Sequence, residues 1–165
     1  MIKFLKAGLF MAAILLPLQT RAAWDDPPIL NSVQAATGNL SINFGMPGVH
    51  QQIAIFLVNS NDPAGFHIDF TFANKGFFKT GTRQFAMTSV SVAKYGGTLG
   101  TGLDPAEATL TVDGTTGVAT WFPSGTPSSA TDTCVIAIYA SWADHSSGMA
   151  GFYLESITAS IVSGP

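Results

Sequence analysis

The chain has 165 residues, of which 47% are hydrophobic and only 10% charged, with a formal net charge of −3. That length suggests one domain, and the scarcity of basic residues argues against nucleic acid or an anionic membrane surface as a partner. The single cysteine, Cys134, excludes an internal disulfide, so stability has to come from core burial.

The first stretch is a processing signal. Lys3 and Lys6 precede an apolar run from Ala7 to Leu18, and Thr20-Arg21-Ala22 places small residues where a signal peptidase reads them. Residues 1–22 are expected to be a secretory signal peptide cleaved after Ala22. A membrane anchor is the alternative, but the apolar run is shorter than the roughly 20 residues that a spanning helix needs. No later segment is long and apolar enough to span a membrane. Processing leaves Lys75, Lys79, Arg83 and Lys94 against ten acidic residues, a net charge of −6.

Residues 23–38 form an extended N-terminal segment, with Asp25, Asp26 and Pro27-Pro28 followed by a weak alternation of Ile29, Val33 and Ala35 that predicts a short strand. Residues 39–165 form the main domain. Asn39 to Phe44 reads as a strand and Gly45 to His50 as a turn. Ile53 to Val58 is apolar on both sides, which predicts a strand covered on both faces. Asn59 to Gly65 carries turn residues. Then Phe66, Ile68, Phe70 and Phe72 alternate with His67, Asp69, Thr71 and Ala73, the period of a half-buried strand.

Lys75 to Thr82 reads as a loop with Phe77 and Phe78 folded under it, and Arg83 to Tyr95 as one long strand. Glycines at 96, 97, 100 and 102 mark a loop. Glu107 to Val112 and Val118 to Phe122 flank Asp113-Gly114-Thr115-Thr116-Gly117, a strong hairpin signal. Thr133 to Trp142 is a second central strand, with Cys134, Ile136, Ile138 and Ala140 on one face. In the last strand Phe152 and Leu154 lie out of phase with Ile157, Ala159 and Ile161, which predicts a β-bulge near Glu155-Ser156. Eight or nine strands with regular turn signals predict an all-β, two-sheet antiparallel Ig-like or pilin-like sandwich, with a closed barrel as the alternative.

Two segments carry a resemblance. Ser41-Ile42-Asn43-Phe44-Gly45, followed by a Pro-Gly turn and N-S-N-D-P-A-G-F-H-I-D-F, resembles the opening of bacterial secreted coat and fimbria-like sandwich domains. Gly151 to Ile161 resembles their last strand. The domains in question are the spore coat protein U-like and WxL-type surface domains. The resemblance implies a secreted, periplasmic or cell-surface protein and, for the pilin-like members, assembly by donated strands. The cysteine pair usual in coat-type pilins and a Trp-x-Leu signature are absent from this chain.

Few residues suggest chemistry. His67 and Asp69 sit two apart on a polar strand face, but zinc needs three or four ligands. Asn59, Asn61 and Asp62 offer oxygens to calcium, yet such residues in turns usually bond their own backbone. Asp144-His145 is a loop dipeptide, and Asn39-Leu40-Ser41 matches a glycosylation acceptor. Cys134, in an apolar strand, reads as core. Neither a nucleophile elbow nor an acid/base pair stands out, so no enzymatic activity, metal or cofactor is expected. Trp121 and Trp142 are candidate ligand-binding residues if exposed, since tryptophan stacks on sugar rings; both also alternate with core positions. Trp24 reads as an anchor for the N-terminal segment.

The expected function is that of an exported, non-enzymatic structural subunit acting through strand edges. Its partners would be itself or other surface proteins, with residues 23–38 as the donor or docking arm. The alternative is a secreted glycan- or ligand-binding module.

Overall fold

The computed structural model describes residues 29–36, 47–96, 106–123, 132–143 and 153–164. The expected signal peptide, the strand at Asn39 to Phe44, the Asp144-His145 pair, the Asn39 acceptor and Trp24 lie outside these residues. The chain is all-β, with no helix among the described residues. Its strands are β1 (Ser32–Ala35), β2 (Gly48–Ser60), β3 (Phe66–Phe72), β4 (Phe77–Thr80), β5 (Arg83–Ala86), β6 (Ser89–Gly96), β7 (Ala108–Thr109), β8 (Val118–Trp121), β9 (Asp132–Trp142) and β10 (Ile157–Ser163).

Among the described residues all pairings are antiparallel and fall into three open sheets, ordered β1-β2-β9-β6-β7, β10-β3-β8 and β4-β5. Alternation explains why the first two face each other. Phe66, Ile68, Phe70 and Phe72 of β3 meet Phe56 and Val58 of β2, Val90 and Val92 of β6, and Cys134, Ile136 and Ile138 of β9 in one buried cluster. Leu110, just after β7, and Ala119 and Trp121 of β8 complete it. At about 1.5–3 kcal/mol for each large apolar side chain buried, this shared cluster is the main source of the fold's stability.

A second, smaller cluster sits at the other end of β9. Phe78, Phe85, Ala140, Trp142 and Tyr153 pack there. The Phe78 ring meets Trp142 edge-on at 5.6 Å, and Phe85 meets Tyr153 at 5.0 Å. The indole of Trp142 lies against Gly48, where a Cβ would come within 2.2 Å of it, so only glycine fits at that point of β2.

Three features differ from the sequence reading. Lys75 to Thr82 is not a plain loop, because Phe77–Thr80 pairs with Arg83–Ala86 across the two-residue turn Gly81-Thr82. Gly81 takes φ 57, which is why glycine stands at the first turn position. Arg83 to Tyr95 is not one strand: it breaks at Met87-Thr88, where the Met87 amide donates to Gly76 O and the Thr88 amide to Ser141 O, and the chain changes sheet. Gly48 to His50 opens β2 rather than turning the chain, with register shifts on both sides of Gln51-Gln52 and His50 at φ 48.

The changes of sheet also redefine two turns. The Asn59 to Gly65 loop joins strands of different sheets. The Asp113 to Gly117 turn closes as expected, with Gly117 N donating to Asp113 O at 2.7 Å, yet β7 pairs with β6 and β8 with β3. The expected bulge near Glu155-Ser156 is absent from the described pairing, which runs in regular register from Ser156 through Ser163. Leu154 bridges Lys79 of β4, whereas β10 pairs with β3 from Ile157 onward. Leu154 is 71% exposed and its neighbour Tyr153 is buried, so the inward row is Tyr153, Ile157, Ala159 and Ile161 with no change of phase. Tyr153→Ala is therefore expected to cost roughly 3 kcal/mol in urea unfolding. Leu154→Ala should stay within about 0.5 kcal/mol. Equal losses would restore the first phase assignment.

Candidate functional site: an open seam between two sheet edges

β10 ends the three-stranded sheet and β1 ends the five-stranded one. The two strands pack against each other, but no backbone ladder joins them among the described residues. The ladder bonds decide what each edge presents. Ala73 N donates to Ser156 O and Gly164 N donates to Gly65 O. In an antiparallel pair the amides alternate between the partner and the far side. The amides of Thr158, Ser160 and Val162 therefore face β3, and those of Ile157, Ala159, Ile161 and Ser163 face the seam. The same argument from Ala36 N donating to Ile55 O turns the Val33 and Ala35 amides of β1 toward it.

The core is thin along this line. Val33, Ile157, Ala159 and Ile161 pack on the main cluster and are only partly buried. Val58, Ile68 and Phe70, one strand further in, are fully buried. Among the described residues, the outward amides of this edge have no backbone partner, and they lie beside a half-covered apolar row, the two features on which strand addition relies where it occurs.

Polar side chains close the upper end. The Ser60 hydroxyl donates to Asn31 Oδ1 at 2.7 Å, and Asn31 Nδ2 donates to Ser163 Oγ at 2.8 Å and to Asp62 Oδ2 at 3.3 Å. Ala64 N donates to Asp62 Oδ1 at 2.9 Å. Ser60 and Asp62 are buried, so this node fixes the start of β1, the β2–β3 loop and the end of β10 relative to one another. Outside it, Asn59 Nδ2 donates to Ser32 Oγ, and Thr133 Oγ1 donates to Asn59 Oδ1. Asn59, Asn61 and Asp62 thus bond protein groups: Asn61 Oδ1 accepts from the Leu30 amide.

Glu155 closes the lower end. Its Oε1 accepts from Asn74 N and Ser156 N, each at 2.9 Å, and the Asn74 side chain donates to Leu154 O. These bonds tie the approach to β10 onto the β3–β4 turn, where Lys75 and Gly76 take φ 59 and 80. Burial pushes the Glu155 carboxyl above its ordinary value against the pull of the turn amides and of Lys79.

The residues singled out from sequence are dispersed. Trp121 and Trp142 are 4% and 3% exposed, one in each cluster, so neither indole face is presented to solvent. Cys134 is buried in the main cluster. His67 Nδ1 lies 3.0 Å from Gly164 O, and Asp69 Oδ1 accepts from Thr120 Oγ1 at 2.6 Å. No group of three or more His, Cys, Asp or Glu side chains gathers among the described residues.

One cluster escaped the sequence reading. On the outer face of the five-stranded sheet His50 Nε2 lies 2.8 Å from Glu107 Oε1, which also accepts from Ser91 Oγ at 3.1 Å. The His50 ring stacks on Tyr139 at 4.2 Å. Both hydrogen bonds hold the Glu107 carboxyl below its ordinary value, and the side chain is about half exposed. Ser91 and His50 bind the same carboxylate oxygen rather than each other, so this is not a nucleophile–base relay. These residues come from β2, β6, β9 and the approach to β7; only the strand order brings them together.

No family model, no curated protein and no solved structure matches the chain.

The Glu155 geometry has a signed consequence. The folded pKa lies above the ordinary 4.5, so the native chain holds its proton to higher pH than the unfolded one. Its stabilising contribution is complete below the unfolded value and is lost as pH rises through the folded one. In urea titrations, wild type is expected to lose stability relative to Glu155→Gln as pH rises from below 4.5 upward. A constant difference between the two proteins would contradict the burial of the carboxyl.

Proposed function

We propose that the chain is an exported, non-enzymatic bacterial surface or fimbria/coat-like subunit. In this reading it is a two-sheet, Ig-like or pilin-like sandwich whose seam between β1 and β10 accepts a strand from a second copy. The observation that carries it is the coincidence, on one edge, of four outward amides with the half-covered row Ile157, Ala159 and Ile161. Segment 23–38 is the donor or docking arm, and its β1 portion already borders the seam.

Magnitudes say what the donated strand has to supply. A net backbone hydrogen bond contributes about 0.5–1.5 kcal/mol, and association costs roughly 4–15 kcal/mol. Four amides alone cover only the low end of that cost. Apolar side chains entering the half-covered row must provide the rest, at about 25 cal/mol per Å². Assembly therefore depends on the seam-facing side chains more than on the backbone.

The test is light scattering with negative-stain imaging over a concentration series, on the exported chain and on Ala159→Lys and Ile157→Lys. Wild type is expected to form a defined oligomer or filament, and both variants to remain folded monomers by circular dichroism. Deleting residues 23–29, which spares Asn31 and its bonds to Ser60, Asp62 and Ser163, should likewise abolish assembly and keep the fold. A wild-type monomer at every concentration, or assembly that survives lysine in the seam, would overturn the proposal.

A further inference from the structure

A second exposed feature lies outside the seam, on the outer face of the three-stranded sheet. The Phe122 ring packs on His67 at 5.2 Å and is itself 60% exposed. Val162 pairs with His67 from the β10 side, so Val162, His67 and Phe122 form one row across three strands. The row has a polar handle. His67 Nδ1 faces a carbonyl oxygen, Gly164 O, and so carries the hydrogen. In the neutral ring Nε2 is then an acceptor, and among the described residues it has no partner.

We infer that this row is the docking site of the chain's own N-terminal tip, with Trp24 lying over Phe122 and Val162 and its indole N–H directed at His67 Nε2. Position argues for it. Asn31 is bonded to Ser163, next to Val162, so the chain ahead of Ile29 enters the described structure beside this row. Reach argues for it too. The five residues from Trp24 to Ile29 span up to roughly 17 Å when extended, and the row covers two strand spacings, about 10 Å. Chemistry completes the argument. Among residues 23–28 Trp24 is the one large aromatic, and an indole combines a broad apolar face with a single donor. The row offers an aromatic face, a valine and a single acceptor. Pro27-Pro28 stiffens the connection and lowers the entropy of docking.

This inference does not depend on strand exchange at the seam, since it concerns the unassembled chain. It gives the arm a resting place on its own subunit.

The experiment measures acrylamide quenching of Trp24, taken as the difference between the exported chain and Trp24→Phe, on monomer at low concentration. Trp121 and Trp142 are buried and cancel in that difference. The expected result is a Trp24 signal protected from quencher in wild type, with that protection lost in Phe122→Ala and weakened in Val162→Ser. Both variants alter exposed side chains, and an unchanged urea midpoint will show that they fold. Protection at every concentration supports docking in cis. Protection that appears only as concentration rises means that the row receives a second copy, and it would overturn the inference. A Trp24 as accessible as free tryptophan, or equally protected in all variants, would also overturn it. Monomeric behaviour in scattering alongside a protected Trp24 would reject the assembly proposal and leave this one standing.

Discussion

Phe66, Ile68, Phe70 and Phe72 have to meet Phe56, Val58, Cys134, Ile136 and Ile138 across the gap between two sheets, and the strand order answers to that requirement. A strand of period two has only one face to bury. Each time the inward row of one sheet is full, the chain crosses to the other. It crosses after Ser60, and again between Thr109 and Val118. The β4–β5 ribbon is too small for a core of its own. It is held by the rings of Phe78 and Phe85 against Trp142 and Tyr153.

The same requirement leaves the seam. A core shared by two open sheets has to end at their edges, and natural edges are normally shortened, charged or covered. β7 and β8 are short. β10 is seven residues long and carries no charged residue. Its two ends are tethered, by the Asn31–Ser60–Asp62–Ser163 node above and Glu155 below, while the stretch between keeps its outward amides and half-buried side chains. Among the described residues that stretch has no backbone partner on its outer side, and an edge held at both ends would lower the ordering cost of a strand added to it.

Much of the fold was legible because alternation is a local signal. The inward rows of β3 and β9, the Asp113 to Gly117 turn and the burial of Cys134 could all be read from single segments. What was not legible depends on which sheet a segment joins. Met87-Thr88 divides two strands by handing amides to Gly76 and Ser141, remote residues that leave no mark in the local pattern. Leu154 looked inward because it is apolar, yet Tyr153 takes that position, since a long ring fills the cluster against Phe85. The seam was foreseen only as a general property of strand edges. Its residues became identifiable once the β3–β10 register decided which amides turn outward. The His50, Ser91, Glu107 and Tyr139 cluster was invisible for the same reason.

Amide hydrogen exchange along β10 tests the central claim most directly. In the monomer, the amides of Ile157, Ala159 and Ile161 should exchange rapidly while those of Thr158, Ser160 and Val162 are protected, and the first set should become protected when the chain assembles. Uniform protection of all six in the monomer would mean that the edge is already paired, and it would contradict the account.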